Sequence, residues 1–178
     1  MGEDVGVHHQ PDGPAFDVVL ILHVGCVVVG LATTLAGAAN AARLRTLLRT
    51  ATPLPDAVRR YFRPGVNWAG RSIYGIPIFG FVLLALSHGA YGLRDGWVLG
   101  GLAIFVGVVL VAEGVLWPAE RRLQVTLGAL PDDAAAESAP PDDAAEASVR
   151  REARAMMVAA IVTVALLVAG SALMVAQP

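Results

Sequence analysis

Long apolar segments separated by polar ones dominate the pattern of this chain. Four segments of about twenty mostly apolar residues stand out, at about 16–39, 72–93, 97–117 and 156–176. A helix needs roughly 20 such residues to cross the hydrocarbon of a bilayer, where the backbone must satisfy its own hydrogen bonds. The pattern therefore predicts an all-α integral membrane protein, with a four-helix bundle formed by residues 16–178.

The residues before the first apolar segment are acidic. Glu3, Asp4 and Asp12 stand where a secretory signal peptide would carry positive charge. We therefore expect the first segment to remain as a membrane anchor and residues 1–15 to form a flexible outer tail.

The arginines predict the orientation of the bundle. All thirteen basic residues are arginine, and twelve of them fall in the first and third connections between segments, which leaves Arg94 alone on the other side. Because positively charged loops stay in the cytoplasm, both termini should lie outside. Abundant Ala, Val, Gly and Arg without Lys is typical of a GC-rich bacterial genome, so the expected location is a bacterial plasma membrane, crossed several times.

The two cytoplasmic connections differ in character. In residues 40–71, leucines stand among arginines before Pro53, and Asp56 precedes a mixed apolar and basic sequence at 57–62 after Pro55. This pattern predicts two short basic amphipathic helices against anionic lipid headgroups. Residues 129–149 contain two near copies of a Pro-Asp-Asp-Ala-Ala sequence. Such an acidic, low-complexity stretch cannot bury a core, so it is predicted to be a disordered loop.

Composition and motifs make several classes of protein function unexpected for this chain. The chain is 56% apolar with a mean hydropathy of +0.61, and its net charge of −2 makes nucleic acid an unexpected partner. The sequence contains no P-loop, no His-Glu-x-x-His pair and no nucleophile elbow. These absences favour a protein that is not an enzyme.

Two histidines lie in the apolar segments. An ionisable side chain there costs free energy of membrane insertion, so each histidine is a candidate functional residue. His23 lies about seven residues inside the first segment and His88 about five residues from the outer end of the second, which places both roughly 8–11 Å deep. Imidazoles at matched depth on neighbouring helices are typical axial ligands of haem b. Copper bound by His23 and Cys26 is an alternative, and simple hydrogen bonding across the bundle, without a cofactor, is another.

Two further features of the apolar segments have structural interpretations. Arg71 and Glu113 lie at the cytoplasmic ends of the second and third segments, so a structural ion pair is favoured over a proton relay. Gly100, Gly107 and Gly114 form a stripe of small residues on one helix, against which another helix, a partner protein or a second copy of the chain could pack.

Several short motifs resemble a known family. Residues 20–25 around His23, the Pro-Gly pair at 64–65, the sequence Trp-Pro-Ala-Glu-Arg at 117–121 and the terminal residues 173–178 look like the predicted integral membrane proteins of the domain-of-unknown-function 2269 family. That resemblance implies four membrane helices and no established activity. More distantly, the chain is similar to the copper-resistance D family and to four-helix haem-binding membrane proteins, onto which His23 alone maps.

Three functional hypotheses remain open at this point. The first is a membrane protein that binds haem b or takes part in redox chemistry through His23 and His88. The second is a non-enzymatic accessory or scaffold subunit of a membrane complex. The third is a copper-handling protein that uses His23 and Cys26.

Overall fold

The computed structural model describes residues 13–50, 53–129 and 143–176, and all regular structure within these ranges is helical. A 3₁₀ segment (Gly70–Tyr74) leads into the third α-helix, and a π-helical segment (Ala112–Leu116) joins the fourth and fifth. The α-helices are α1 (Pro14–Arg49), α2 (Asp56–Tyr61), α3 (Gly75–Leu86), α4 (Gly96–Val111), α5 (Trp117–Gly128) and α6 (Asp143–Val175).

Three helices are long and apolar enough to cross a membrane, as expected of an integral membrane protein: Pro14–Arg49, Gly96–Gly128 and Ala144–Val175. Large apolar side chains on them point away from the protein, including Ile21 at 70% exposed and Leu110 at 68%. In water such surfaces would be costly, whereas lipid chains are as apolar as the side chains themselves.

The second apolar segment differs from its prediction. The continuous helical stretch is Gly70–Leu86, roughly 28 Å long against about 30 Å of hydrocarbon, and α3 ends before the predicted boundary at residue 93. The reason is local, because the Ser87 hydroxyl donates to the Leu84 carbonyl (2.8 Å) and accepts from the Tyr91 amide (3.3 Å). Side-chain bonds of this kind favour a turn over a continued helix.

Three helices continue well beyond their apolar segments and pack together at one end of the molecule. We call this the basic end; it comprises the last three turns of α1 together with α2, α5 and the first turns of α6. The first basic helix predicted in residues 40–71 is therefore continuous with α1, whereas the second corresponds to α2. The opposite end, formed by the start of α1, the turn at 87–95 and the end of α6, is the open end.

Part of the predicted acidic loop is helical. Residues 143–149 belong to α6, and residues 130–142 lie outside the described residues. The first turns of α6 are held by an ion pair between Arg150 and Glu146 (2.6 Å) and a second between Arg122 and Glu152 (2.8 Å). Val149 is buried among α6's neighbours, so this stretch contributes to a core after all.

The packing order of the helices leaves one side of the bundle open. α6 packs against α1 and α4, and α3 packs against α1. By comparison, α3 and α4 make little direct contact with each other. A large cavity lies on this side, between α3 and α4 and against α1 and α6.

Candidate functional site

A cleft of about 730 Å³ occupies the open end of the molecule. Its size falls within the range of about 300–1,000 Å³ typical of small-molecule sites. All four of the long or apolar helices line it: α1 through Phe16, Asp17, Leu20, His23, Val24 and Val27; α3 through Ile76, Pro77, Gly80, Phe81, Leu83 and Leu84; α4 through Trp97, Val98, Gly101, Leu102 and Phe105; and α6 through Ser171, Met174 and Val175.

His23 is the buried polar group of this cleft. Its side chain is 6% exposed and lies where α1 crosses α3, beside Gly80. The ring interacts with the backbone carbonyl of Ile76, but its Nδ1 atom has no hydrogen-bond partner among the described residues. An unpaired buried nitrogen of this kind is costly, and a ligand that pairs with it removes that cost.

The wall around His23 is largely apolar and includes two packed aromatic rings. Tyr91 and Trp97 line the cleft and pack edge to face, with ring centroids 5.4 Å apart. Asp17 and Ser171 add a carboxyl and a hydroxyl to the polar atoms of the two aromatic side chains, and within the described part of the chain no arginine lines the cleft. The site is therefore suited to a neutral, largely apolar guest with one polar group.

His88 does not join His23 in the cleft. It follows the end of α3, is exposed to the surroundings, and has a φ of 49°, in the left-handed region that residues other than glycine seldom adopt. The matched depth expected for the two histidines assumed that the second helix continues to residue 93. Because α3 ends at Leu86, the predicted pair of axial ligands is not brought together on neighbouring helices.

Cys26 packs against a helix rather than facing the cleft. Its Sγ occupies the space that a side chain on Gly75 would fill, so the two residues form the close approach between α1 and α3. Next along this contact, a Cβ on Gly30 would lie 2.7 Å from a methyl carbon of Ile73. Packing accounts for Cys26, and the described residues contain no group of three or more His, Cys, Asp or Glu side chains that could hold a metal ion.

Arg71 and Glu113 are 3.5 Å apart, from Nη1 to Oε1, where the 3₁₀ segment meets the π-helical segment. Glu113 also accepts a hydrogen bond from the Tyr74 hydroxyl. The guanidinium of Arg71 stacks over the ring of Trp117, 3.9 Å from its centroid. The cluster therefore links the start of the second apolar segment to the end of the third.

The glycine stripe of the third segment is partly used within the chain. A Cβ on Gly100 would lie 2.8 Å from Leu173, and one on Gly107 would lie 3.5 Å from Leu166, so both glycines face α6. Gly114 has open space around it. The prediction of a partner protein or a homodimer at this stripe stays a prediction.

One buried acid escaped the sequence analysis. Glu120 is 7% exposed and lies at the basic end, where the Asn67 side chain approaches it at 3.5 Å. The helical spacing of Leu116, Glu120 and Leu123 places it on the apolar face of α5, and this spacing was the signal that could have identified it.

Comparisons with known proteins leave the family open. No protein-family model matches the chain, and no curated protein and no solved structure matches it. The resemblance to the family named above stays a prediction, and the functional argument depends on the geometry of the site.

Proposed function

We propose that this chain is a four-helix, multi-pass protein of a bacterial plasma membrane that binds a lipid-soluble small molecule in the cleft at its open end. The proposed ligand is neutral and mostly apolar, and carries a carbonyl or hydroxyl group that pairs with His23. Membrane quinones and quinols are one chemical class of this description. The proposed role is binding rather than catalysis.

The observation that carries this proposal is the buried, unpaired Nδ1 atom of His23, a residue that lines an apolar cleft large enough for a small molecule. A neutral imidazole nitrogen donates or accepts a hydrogen bond according to its tautomer, so a carbonyl and a hydroxyl are both suitable partners. Tyr91 and Trp97 in the wall of the cleft offer flat surfaces to a ring. The open side between α3 and α4 would let a lipid-soluble ligand enter from the bilayer.

Haem b is a poorer fit to the same residues. His23 could supply one axial nitrogen, but His88 is outside the cleft and cannot be assigned as the second. Haem also carries two negatively charged propionate groups. Among the described residues, the ionisable acid or base that lines the cleft beside His23 and Tyr91 is Asp17, which is itself acidic. Like charges disfavour each other in such a site, so the haem hypothesis ranks second.

The proposed orientation places the open end outside and the basic end in the cytoplasm. The exposed arginines of the basic end would then lie near anionic headgroups of the inner leaflet, each attracted by about 1 kcal/mol. The helices α1 and α6 are 36 and 33 residues long, roughly 54 and 50 Å, and therefore extend well beyond the hydrocarbon.

The ligand proposal is tested by replacing His23 with leucine, which removes the ring nitrogens and keeps a side chain of similar volume. Wild-type protein, His23→Leu and the control His88→Leu are purified in mild detergent, and binding of a short-chain benzoquinone is followed by quenching of tryptophan fluorescence. We expect His23→Leu to weaken binding about five- to tenfold, because the variant lacks the ring nitrogens and loses one hydrogen bond to the ligand. His88→Leu should bind as the wild type does.

The same samples separate the competing ligands. Mass spectrometry of an organic extract should find a lipid-soluble molecule with the wild type and less of it with His23→Leu. An absorption spectrum with a Soret band that is lost in both variants would instead support haem with two histidine ligands. Equal quinone binding by all three proteins would remove His23 from the site.

Orientation is tested by labelling single cysteines in intact cells. In a Cys26→Ala background, Ala90→Cys places a thiol at the open end and Arg63→Cys places one at the basic end, at positions that are both exposed. We expect a membrane-impermeant maleimide to label the first and not the second. The reverse result would invert the proposed orientation.

A further inference from the structure

A second, much smaller cavity, separate from the cleft, lies where the basic end meets the apolar parts of α1 and α6. Its volume is about 20 Å³, and about 10–15 Å³ suffices for one water-sized guest. The cavity is therefore the right size for a single water molecule or a single small ion. Its oxygen-bearing walls come from Thr33, Thr34, Tyr61, Asn67, Glu120 and Thr163.

Glu120 is the acidic residue in the wall of this cavity. It is 7% exposed, and the hydrogen bond that reaches it from Asn67 is long, at 3.5 Å. Arg71 is the neighbouring cation, but its guanidinium is engaged by Glu113 and stacked on Trp117. A buried charge that lacks close compensation is strongly disfavoured unless a counter-charge joins it.

The hydroxyls of Thr33 and Thr34 donate their hydrogens to backbone carbonyls and keep lone pairs free. Thr34 donates its hydroxyl hydrogen to the Gly30 carbonyl (2.7 Å) and Thr33 donates to the Val29 carbonyl (2.8 Å). Each oxygen therefore keeps lone pairs for the cavity. Thr163 is 0% exposed, lines the cavity, and its Oγ1 finds no partner in the ranges that the structure covers.

Tyr61 completes the wall from α2. Burial, with a contribution from the charge of Glu120, raises the pKa of the Tyr61 phenol far above its usual value of about 10, so the group stays neutral. The net charge of the wall therefore comes from Glu120, balanced in part by Arg71 at the edge.

From this arrangement we propose that the small cavity binds a sodium-sized monovalent cation, with Glu120 as the charged ligand and the hydroxyl oxygens of Thr34 and Thr163 as neutral ligands. Carboxylate and hydroxyl oxygens are hard ligands, the type that hard cations prefer. Magnesium is a poorer candidate because it keeps several of its waters, for which the cavity has no room. The site is independent of the ligand proposed for the cleft.

The cation would join parts of the chain that are far apart in sequence. Thr34 belongs to α1, Glu120 to α5 and Thr163 to α6, while Asn67 caps the 3₁₀ segment by accepting from the Gly70 amide at 3.0 Å. Binding at this junction should therefore stabilise the folded basic end by mass action.

The first test is thermal unfolding of the full chain in mild detergent, with sodium chloride exchanged for choline chloride at constant total salt. We expect the midpoint to rise saturably with sodium, by roughly 5 °C for a site filled a hundredfold above its dissociation constant. The rise should disappear in Glu120→Gln and in Thr163→Val. The control is Glu152→Gln, which also removes a carboxylate at the basic end, but one that pairs with Arg122. This variant should keep the sodium-dependent rise.

A direct measurement guards against variants that fail to fold. Equilibrium binding of radioactive ²²Na⁺ to the wild type should approach one ion per chain, and Glu152→Gln should match it. If the wild type binds none, or if choline raises the midpoint as much as sodium does, the cavity holds water and the proposal is wrong.

Discussion

The two ends of this molecule are packed in opposite ways. At the basic end, Leu44, Phe62 and Leu123 are each 2% exposed or less, and the small cavity at its border holds about 20 Å³. At the open end, the same helices diverge around a cleft of about 730 Å³. The helices α1 and α6 and the continuous helix Gly96–Gly128 thus contribute to a dense core at one end and to the wall of a gap at the other.

The surrounding solvent explains the difference. Helices that extend beyond the apolar stretches meet water, where burying apolar surface is strongly favourable and closes gaps. Between lipid-facing helices that driving force is absent, since lipid tails are as apolar as leucine, and van der Waals contact decides how closely helices pack. A gap in that region persists at low cost if a lipid-soluble molecule fills it.

Core truncation should give the largest contrast between the ends. Leu123→Ala removes a fully buried side chain of the basic end and should lower the free energy of unfolding by about 2–5 kcal/mol. Leu84→Ala shortens a side chain that already lines the cleft, so we expect the free energy of unfolding to fall by less than about 1.5 kcal/mol. Unfolding by denaturant in mixed micelles measures both, and equal losses would mean that the open end is as tightly packed as the basic end.

Two glycines of α3 test the contrast within one helix. Gly75→Ala would place a methyl group on the Sγ of Cys26, and overpacking of this kind costs about 1–3 kcal/mol. Gly80→Ala would lie 3.5 Å from the imidazole of His23, in ordinary contact, and should be neutral or stabilising by up to about 1 kcal/mol because alanine favours the helix.

A double-mutant cycle identifies the cause of the Gly75 effect. Combining Gly75→Ala with Cys26→Gly removes the overlapping sulfur, and the unfolding free energy should recover by about 1 kcal/mol or more relative to the sum of the single changes. Additive losses would show that the close approach of α1 and α3 has another origin.

The ion pair between Arg122 and Glu152 should give the smallest effect. The side chain of Arg122 is 55% exposed, so water and salt screen the pair although its N–O distance is 2.8 Å. We expect Arg122→Gln to cost about 0–1 kcal/mol at low salt and less in 0.5 M salt. A loss that does not change with salt would indicate that the residue acts through packing.

The length of the apolar segments predicted which helices are long and apolar, but it did not predict where those helices begin and end. Long apolar segments identify α1, α4 and α6 because few other structures tolerate so much lipid-facing surface. Their extension into the basic end was missed, since Arg43, Arg49 and Glu152 have the composition of loops. Tertiary packing of Leu44 and Ala153 overrides that composition.

The candidate sites were predictable only in part. His23 was identified because an imidazole inside an apolar segment needs a partner. His88 was placed beside it by counting residues along a helix that Ser87 ends early. Glu120 and Thr163 lie far apart in sequence, and nothing in their local patterns indicates that they share a cavity.

By itself, the sequence determined that the chain is helical and has helices long and apolar enough to cross a membrane, because the free energy of placing apolar and charged residues in lipid depends mainly on their identity and order. It also placed Arg71 and Glu113 at ends where they could pair. Only the tertiary structure decided which helices touch, that α3 and α4 stay apart, and where residues with unpaired polar atoms line cavities. Those properties depend on side-chain volumes meeting across helices, and no local pattern in the chain records them.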